Sequence, residues 1–249
     1  MPVMKVGPGR ALLYSGVETY DQKVLATGPI AYWPLWETAG VTAVNYGSLG
    51  AAANGTYVSI VPGTGIGPDG GPCPWFDGAA DYVNIFTPAF DAAFNGATGT
   101  ALLWFRAANV GVWTDAARGD TLMLFDDAGN FYRMTKAAAN NRWEGSGVAG
   151  AGTVTITRNA SAEIIWIPTA ITWSDSANAD EFKAFWAGAQ VGATSAALNA
   201  WAGGGLTATA TAIGAYGAGV VNPFHGWIAH CAIWDRVLSQ AEITDLANP

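Results

Sequence analysis

Along most of the chain, large apolar residues alternate with polar or small ones over short stretches, and Gly, Pro, Asn or Asp interrupts the pattern every few positions. This period-two pattern predicts strands at 30–35, 57–61, 99–107, 120–126, 130–136, 152–159, 163–173, 181–187, 190–193, 208–215 and 226–234. Residues 75–85 read as a turn followed by a strand. Residues 62–74 (PGTGIGPDGGPCP) are too rich in Gly and Pro for a regular element, and no helix follows that would aim its amides at a phosphate. Asp126-Asp127-Ala128-Gly129-Asn130 predicts a hairpin turn with Gly129 in the left-handed region.

Helical signals stand only at the two ends. Thr19 caps a short segment that Gly28-Pro29 stops, and Ser239-x-x-Glu242 forms a capping box ahead of Ile243 and Leu246. Short strands without helix-length periodicity between them predict an all-β sandwich with short N- and C-terminal helices. Residues 1–18 read as an N-terminal arm, broken by Gly7, Pro8, Gly9 and Gly16 yet carrying Val3, Val6, Leu12, Leu13 and Tyr14. Such an arm packs either on its own domain or on a neighbouring subunit. Residues 19–249 read as one domain.

Composition narrows the classes of partner. A net charge of −8 sets the chain against nucleic acid and anionic membranes. No stretch reaches the roughly 18 apolar residues of a membrane span, so no membrane insertion is expected. The first ten residues hold no apolar core of signal-peptide length, which favours a soluble protein that leaves a cell by another route, such as lysis. The two cysteines, Cys73 and Cys231, permit one disulfide without requiring it. With His225 and His230 they supply no zinc spacing. Twelve tryptophans exceed ordinary usage. Trp113, Trp143 and Trp201 fall beside Gly, Ala and Asn in apparent loops, so these three are the candidates for stacking on a sugar or anchoring an interface.

Several segments together resemble the concanavalin A-like jelly roll of the laminin-G type. They are Tyr20–Glu37 (YDQKVLATGPIAYWPLWE), Asn54-Gly55-Thr56, Phe76–Ile85 (FDGAADYVNI), Leu103–Arg106 (LWFR) and the ending from Pro223 through Ile228, Trp234 and Leu238 to Ile243. Their order and spacing match from about residue 20 to 247. The resemblance implies a concanavalin A-like jelly-roll sandwich of two antiparallel sheets. It also implies a domain that binds sugars, proteins or cell surfaces, of a kind frequent in phage structural proteins, with glycanases among its relatives.

Catalysis finds no support in the residues. Glycoside hydrolysis needs two carboxyls facing each other across a cleft, and the acidic pattern E-x-D-x-x-E of the catalytic relatives is absent. Asp126-Asp127 and Asp180-Glu181 are adjacent pairs that would point to opposite faces of a strand. Calcium, bound by many relatives, loses its usual acids here. Ala229 and His230 replace them in the last strand and Asn45 in an early turn, leaving Asp77 and Asp81 as the candidate oxygen ligands. Asp77 is expected to shape its turn instead, so Ca²⁺ is possible and not expected.

Function therefore reads first as a non-catalytic structural or decoration protein on a virion surface, a phage particle in particular. There it would form a homo-oligomer or contact other virion subunits. The alternative is an extracellular carbohydrate-binding or adhesion module that takes a cell-surface glycan. A glycoside hydrolase is the outsider.

Overall fold

In both terminal helices a side chain answers the unpaired backbone donors of the first turn. Thr19 accepts from the Gln22 amide while the Gln22 side chain accepts from Thr19 N–H, opening helix α1 (Tyr20–Ala26). Three shorter or later helices follow: α2 (Pro88–Ala93), α3 (Val110–Thr114) and α4 (Gln240–Leu246). In α4, Ser239 and Glu242 repeat the reciprocal cap. The computed structural model describes residues 18–138, 141–159, 162–216 and 221–249, so residues 1–17 of the expected arm lie outside the described residues.

Two antiparallel sheets face each other. The first runs in the order Ala31–Trp33, His225–Trp234, Thr98–Ala107, Ile167–Ser174, Glu181–Trp186, Ala189–Ser195. Trp75–Asp77 pairs with the first half of His225–Trp234, and Ala31–Trp33 pairs with its second half. The second sheet runs Gly152–Asn159, Arg142–Ala149, Phe131–Lys136, Asp120–Asp126, Ala212–Ile213, Tyr82–Asn84, Gly55–Val58, Thr42–Ala43. A separate hairpin, Gly65–Ile66 with Pro72–Cys73, arises from the Gly/Pro loop. The architecture is the jelly-roll sandwich that the motifs implied.

Three local expectations change. Arg142–Ala149 is a full strand rather than a loop, and α2 and α3 are helices within the sandwich. In the 126–130 hairpin the residue at positive φ is Ala128, at 71°, not Gly129. Asp127 makes this tolerable by accepting from the amides of Gly129 and Asn130.

The space between the sheets is filled by Trp33, Phe105, Phe125, Tyr132, Trp143, Trp173 and Phe182, among others. A second apolar layer lies on the outer side of the first sheet. There α1 supplies Tyr20 and Val24, and α4 supplies Ile243 and Leu246, against Tyr32, Leu102, Trp104, Ala232 and Trp234. The Tyr20 hydroxyl donates to Leu246 O at 2.8 Å and accepts from the Trp104 indole at 2.7 Å, which ties the two helices to the sheet. The helices thus cover one half of the outer face and leave the other half to be covered or used.

The C-terminal helix gives a pH-dependent prediction. The Arg236 guanidinium, with the Ser239 amide and hydroxyl, holds the Glu242 carboxyl down at about 2, although burial opposes this. A depressed folded value means that stability is present above the ordinary value of 4.5 and lost as pH falls toward about 2. Glu242→Gln is expected to lower stability at neutral pH by about 0.5–1 kcal/mol. It should also flatten the acid dependence within that window, as read by denaturant unfolding over a pH series. Equal acid slopes for the two proteins would refute it.

Candidate functional site

The outer face of the first sheet changes character at His230. Between Ala229 and Ala232 the terminal strand advances three residues while its partner retreats from Trp104 to Leu102, so one residue is extra. His230 takes up this bulge at φ 52° and donates its amide to Pro34 O. The terminal strand changes edge partner at the same point, from Trp75–Asp77 to Ala31–Trp33.

Below the bulge, alternation turns His225 and Trp227 outward, since Ile228 between the outward positions packs in the core. On the neighbouring strand Trp75 and Asp77 flank the buried Phe76, and Asp77 stands opposite His225 and Trp75 opposite Trp227. The two half-buried indoles meet with centroids 4.4 Å apart at 64°. His225 lies edge-on to Trp75 at 5.1 Å. On the far side of Trp227 stands Arg106, its guanidinium 4.7 Å from the ring centroid.

Trp75, Trp227, Asp77, Asp81, Ser59, Val61 and Thr64 line a cleft of about 400 Å³. The 65–73 hairpin forms one border. Gly65 lies directly on Trp227, where a Cβ would come within 2.4 Å of the indole Cδ1. The hairpin is held at its other end by Asp69, whose carboxylate lies 3.3 Å from His230 Nε2. Nδ1 of that buried imidazole pairs with the Tyr32 hydroxyl at 2.7 Å, so His230 serves structure.

The turn after Trp75–Asp77 carries both carboxylates. Asp77 Oδ1 accepts from the amides of Ala79 and Ala80, and Asp81 Oδ2 accepts from the Asp77 amide at 2.8 Å. Asp77 is exposed and Asp81 is buried, and burial pushes the Asp81 carboxyl above the usual carboxylate range. Behind the turn, Arg118 donates to Asp120, Gly78 O and Pro223 O, each within 2.9 Å. Burial, with Arg118 nearby, lowers the His225 pKa and keeps the imidazole neutral near pH 7.

The tryptophans singled out from the sequence lie elsewhere. Trp113 is 1% exposed in α3, Trp143 0% exposed in a strand and Trp201 5% exposed in a loop, so none offers a ring face to a ligand. Trp113 packs between Phe105 and Trp186 and donates its indole N–H to Glu163 O. Trp143 packs on Trp186, and Trp201 on Phe94 and Tyr132. The glycines beside Trp143 that suggested a loop instead make room for core side chains: a Cβ on Gly145 would meet Ile171 Cγ2 at 2.7 Å and the Trp143 ring at 3.3 Å, and one on Gly147 would meet the Tyr132 ring at 2.7 Å. Trp75 and Trp227, which like Trp36 and Trp166 are partly exposed, lack any local distinguishing signal. Only strand register brings them together.

Asp77 and Asp81 share one turn and line the cleft, and Asp77 shapes that turn as expected. Among the described residues no group of three His, Cys, Asp or Glu is gathered as metal ligands. Cys73 and Cys231 are buried free thiols, and burial pushes the Cys73 thiol up to about 12. Among the described residues no helix is long and apolar enough to cross a membrane.

No curated protein sequence matches the chain. Solved structures do. The botulinum neurotoxin serotype D binding domain aligns with a TM-score of 0.63 at 10% identity, over 88% of this chain and 51% of that one. Domain 4 of AbnA, a GH43 extracellular arabinanase from Geobacillus stearothermophilus solved with arabinotriose, aligns with a TM-score of 0.60 at 13% identity. That match covers 88% of this chain and 98% of that one. Trypanosoma rangeli sialidase aligns at 0.60 and 11% identity, over 89% of this chain and 33% of that one. The chain thus spans about half the length of the neurotoxin binding domains it matches, and at these identities the likeness concerns the fold. The family model described as the concanavalin A-like lectin/glucanases superfamily matches residues 77–244, more than half of the sequence, and the chain belongs to that superfamily.

Proposed function

We propose that this protein is a non-catalytic glycan-binding domain and that it holds its ligand in the Trp75–Trp227 cleft. One observation carries the reading: two partly exposed indoles in contact across a strand pair wall a cleft whose polar groups are carboxylates and hydroxyls. An indole face matches the apolar face of a sugar ring. Asp77, Asp81, Ser59 and Thr64 supply acceptors and hydroxyls for the ring's own hydroxyls. That a related fold, domain 4 of the arabinanase, was solved with arabinotriose supports the same ligand class.

A catalytic role is left out for a geometric reason. Asp77 and Asp81 occupy one turn and are bound to that turn's own amides, rather than facing each other across the cleft. The virion-decoration reading draws on residues 1–18, of which 1–17 lie outside the described residues, and its other grounds, the family match, the missing paired-acid pattern and the low charge, suit a glycan-binding domain equally.

Calorimetric titration with arabinotriose and a panel of neutral oligosaccharides tests the proposal. At least one is expected to bind, and Trp75→Ala should weaken it at least tenfold, about 1.4 kcal/mol. Trp75 packs on Trp227 and His225, so some stability is lost as well, and binding is compared well below the melting temperature of both proteins. Binding should persist in a chelator, since calcium is not part of the proposal. No binding across the panel, or binding indifferent to Trp75, would refute it.

A further inference from the structure

We infer that the Trp75–Trp227 cleft sorts glycans by charge, favouring rings that carry an amine, admitting uncharged rings and turning away uronates and other acidic sugars. The inference rests on the glycan-binding reading and adds the chemistry that selects among glycans. It starts from the lining, in which, among the described residues, the only ionisable side chains are the carboxylates of Asp77 and Asp81.

The cations nearby are directed elsewhere. Trp227 pairs across the sheet with Trp75 on one side and Arg106 on the other, so its indole stands between the cleft and the Arg106 guanidinium. Arg118 extends its donors to Asp120, Gly78 O and Pro223 O, behind the turn rather than into the cleft. His225 packs edge-on to Trp75 and lies outside the cleft lining, and burial disfavours its charged form. An acidic sugar entering the cleft therefore meets two carboxylates with, among the described residues, no lining cation to answer its own charge.

An amine meets the opposite situation. The exposed Asp77 and the buried Asp81 line the cleft with carboxylate oxygens, which attract an ammonium group by charge and by charge-assisted hydrogen bonds. The net charge of −8 acts in the same direction at long range, drawing cationic glycans in and repelling anionic ones.

The test compares three short linear oligosaccharides of equal length: a glucosamine trimer, its fully N-acetylated form and a uronic acid trimer. Each is titrated calorimetrically into the full chain in mildly acidic buffer, with arabinotriose as the neutral reference. The glucosamine trimer is expected to bind about tenfold tighter than the acetylated one, and the uronate at least tenfold weaker than it. Added salt should narrow both gaps. Asp77→Asn should narrow them as well, and it retains the Oδ1 that caps the Ala79 and Ala80 amides, so the turn stays formed.

The failures are distinguishable. If the uronate binds as tightly as the neutral trimers, and does so through Trp75, charge selection falls while glycan binding stands. If the order of affinities survives Asp77→Asn and high salt, charge selection falls too. If no oligosaccharide binds, or binding ignores Trp75→Ala, both readings fall together.

Discussion

Replacing Gly226 by alanine is expected to destabilise the protein by about 3–5 kcal/mol and to abolish ligand binding with it. Gly226 sits at φ 153°, where L side chains are strained, and its Cβ would lie 2.2 Å from Arg106 O and 2.8 Å from the Phe224 ring. The first contact is with backbone, so a rotamer change cannot relieve it. Relief requires the terminal strand to separate from Thr98–Ala107, its hydrogen-bonded partner from Gly226 to Trp234. The same residue pairs with Phe76 on the other side, one position from the Trp75–Trp227 contact. Strand pairing and cleft should therefore fail together. Denaturant unfolding monitored by tryptophan fluorescence measures the loss, and a variant within 1 kcal/mol of the parent that still binds would contradict the account.

Lys136→Met should have a comparable effect, about 3–5 kcal/mol. Lys136 is 2% exposed, and its ammonium donates to Asp115 O and Arg118 O. It stands opposite Asp120, another buried charge, which otherwise has only Arg118 as a cationic partner within ion-pair distance among the described residues. Burial already pushes the Asp120 carboxyl above its ordinary range against the pull of Arg118 and Lys136. Methionine fills the space but leaves two carbonyls without their donor and Asp120 with less compensation. Because Arg118 also holds Gly78 O, the turn bearing Asp77 and Asp81 should loosen, and binding should weaken beyond what the melt alone explains. Adding Asp120→Asn should recover part of the stability, since it removes the under-compensated charge. A double variant no more stable than Lys136→Met would show that the carbonyls, not the charge, dominate.

The parts of this fold that depend on neighbours in sequence were legible without a structure. The caps at Thr19–Gln22 and Ser239–Glu242 act within one turn, and both helices form where those residues place them. The strands Asp120–Asp126 and Gly152–Asn159 have the bounds expected from the sequence, and the second alternates buried and exposed positions along its centre. Arg142–Ala149 escaped because its inward positions include Gly145 and Gly147, which carry no apolar signal. Their missing side chains admit Ile171 and Tyr132 from other strands. Trp143 was misplaced for the same reason.

His230 shows the boundary between the two kinds of information. In sequence it registers only as a departure from the acids of related chains. In the fold it is the bulge where the terminal strand changes partner, and it helps hold the hairpin that borders the cleft through Asp69. The strand-rich sandwich, the capped terminal helices and the lack of a paired-acid catalytic pattern could be read from residues near one another in the chain, because alternation, capping and spacing are local properties. Tertiary packing settled which tryptophans are core and which reach the surface. Burial and the Trp75–Trp227 contact depend on the register between strands far apart in the chain, and no local pattern encodes that register.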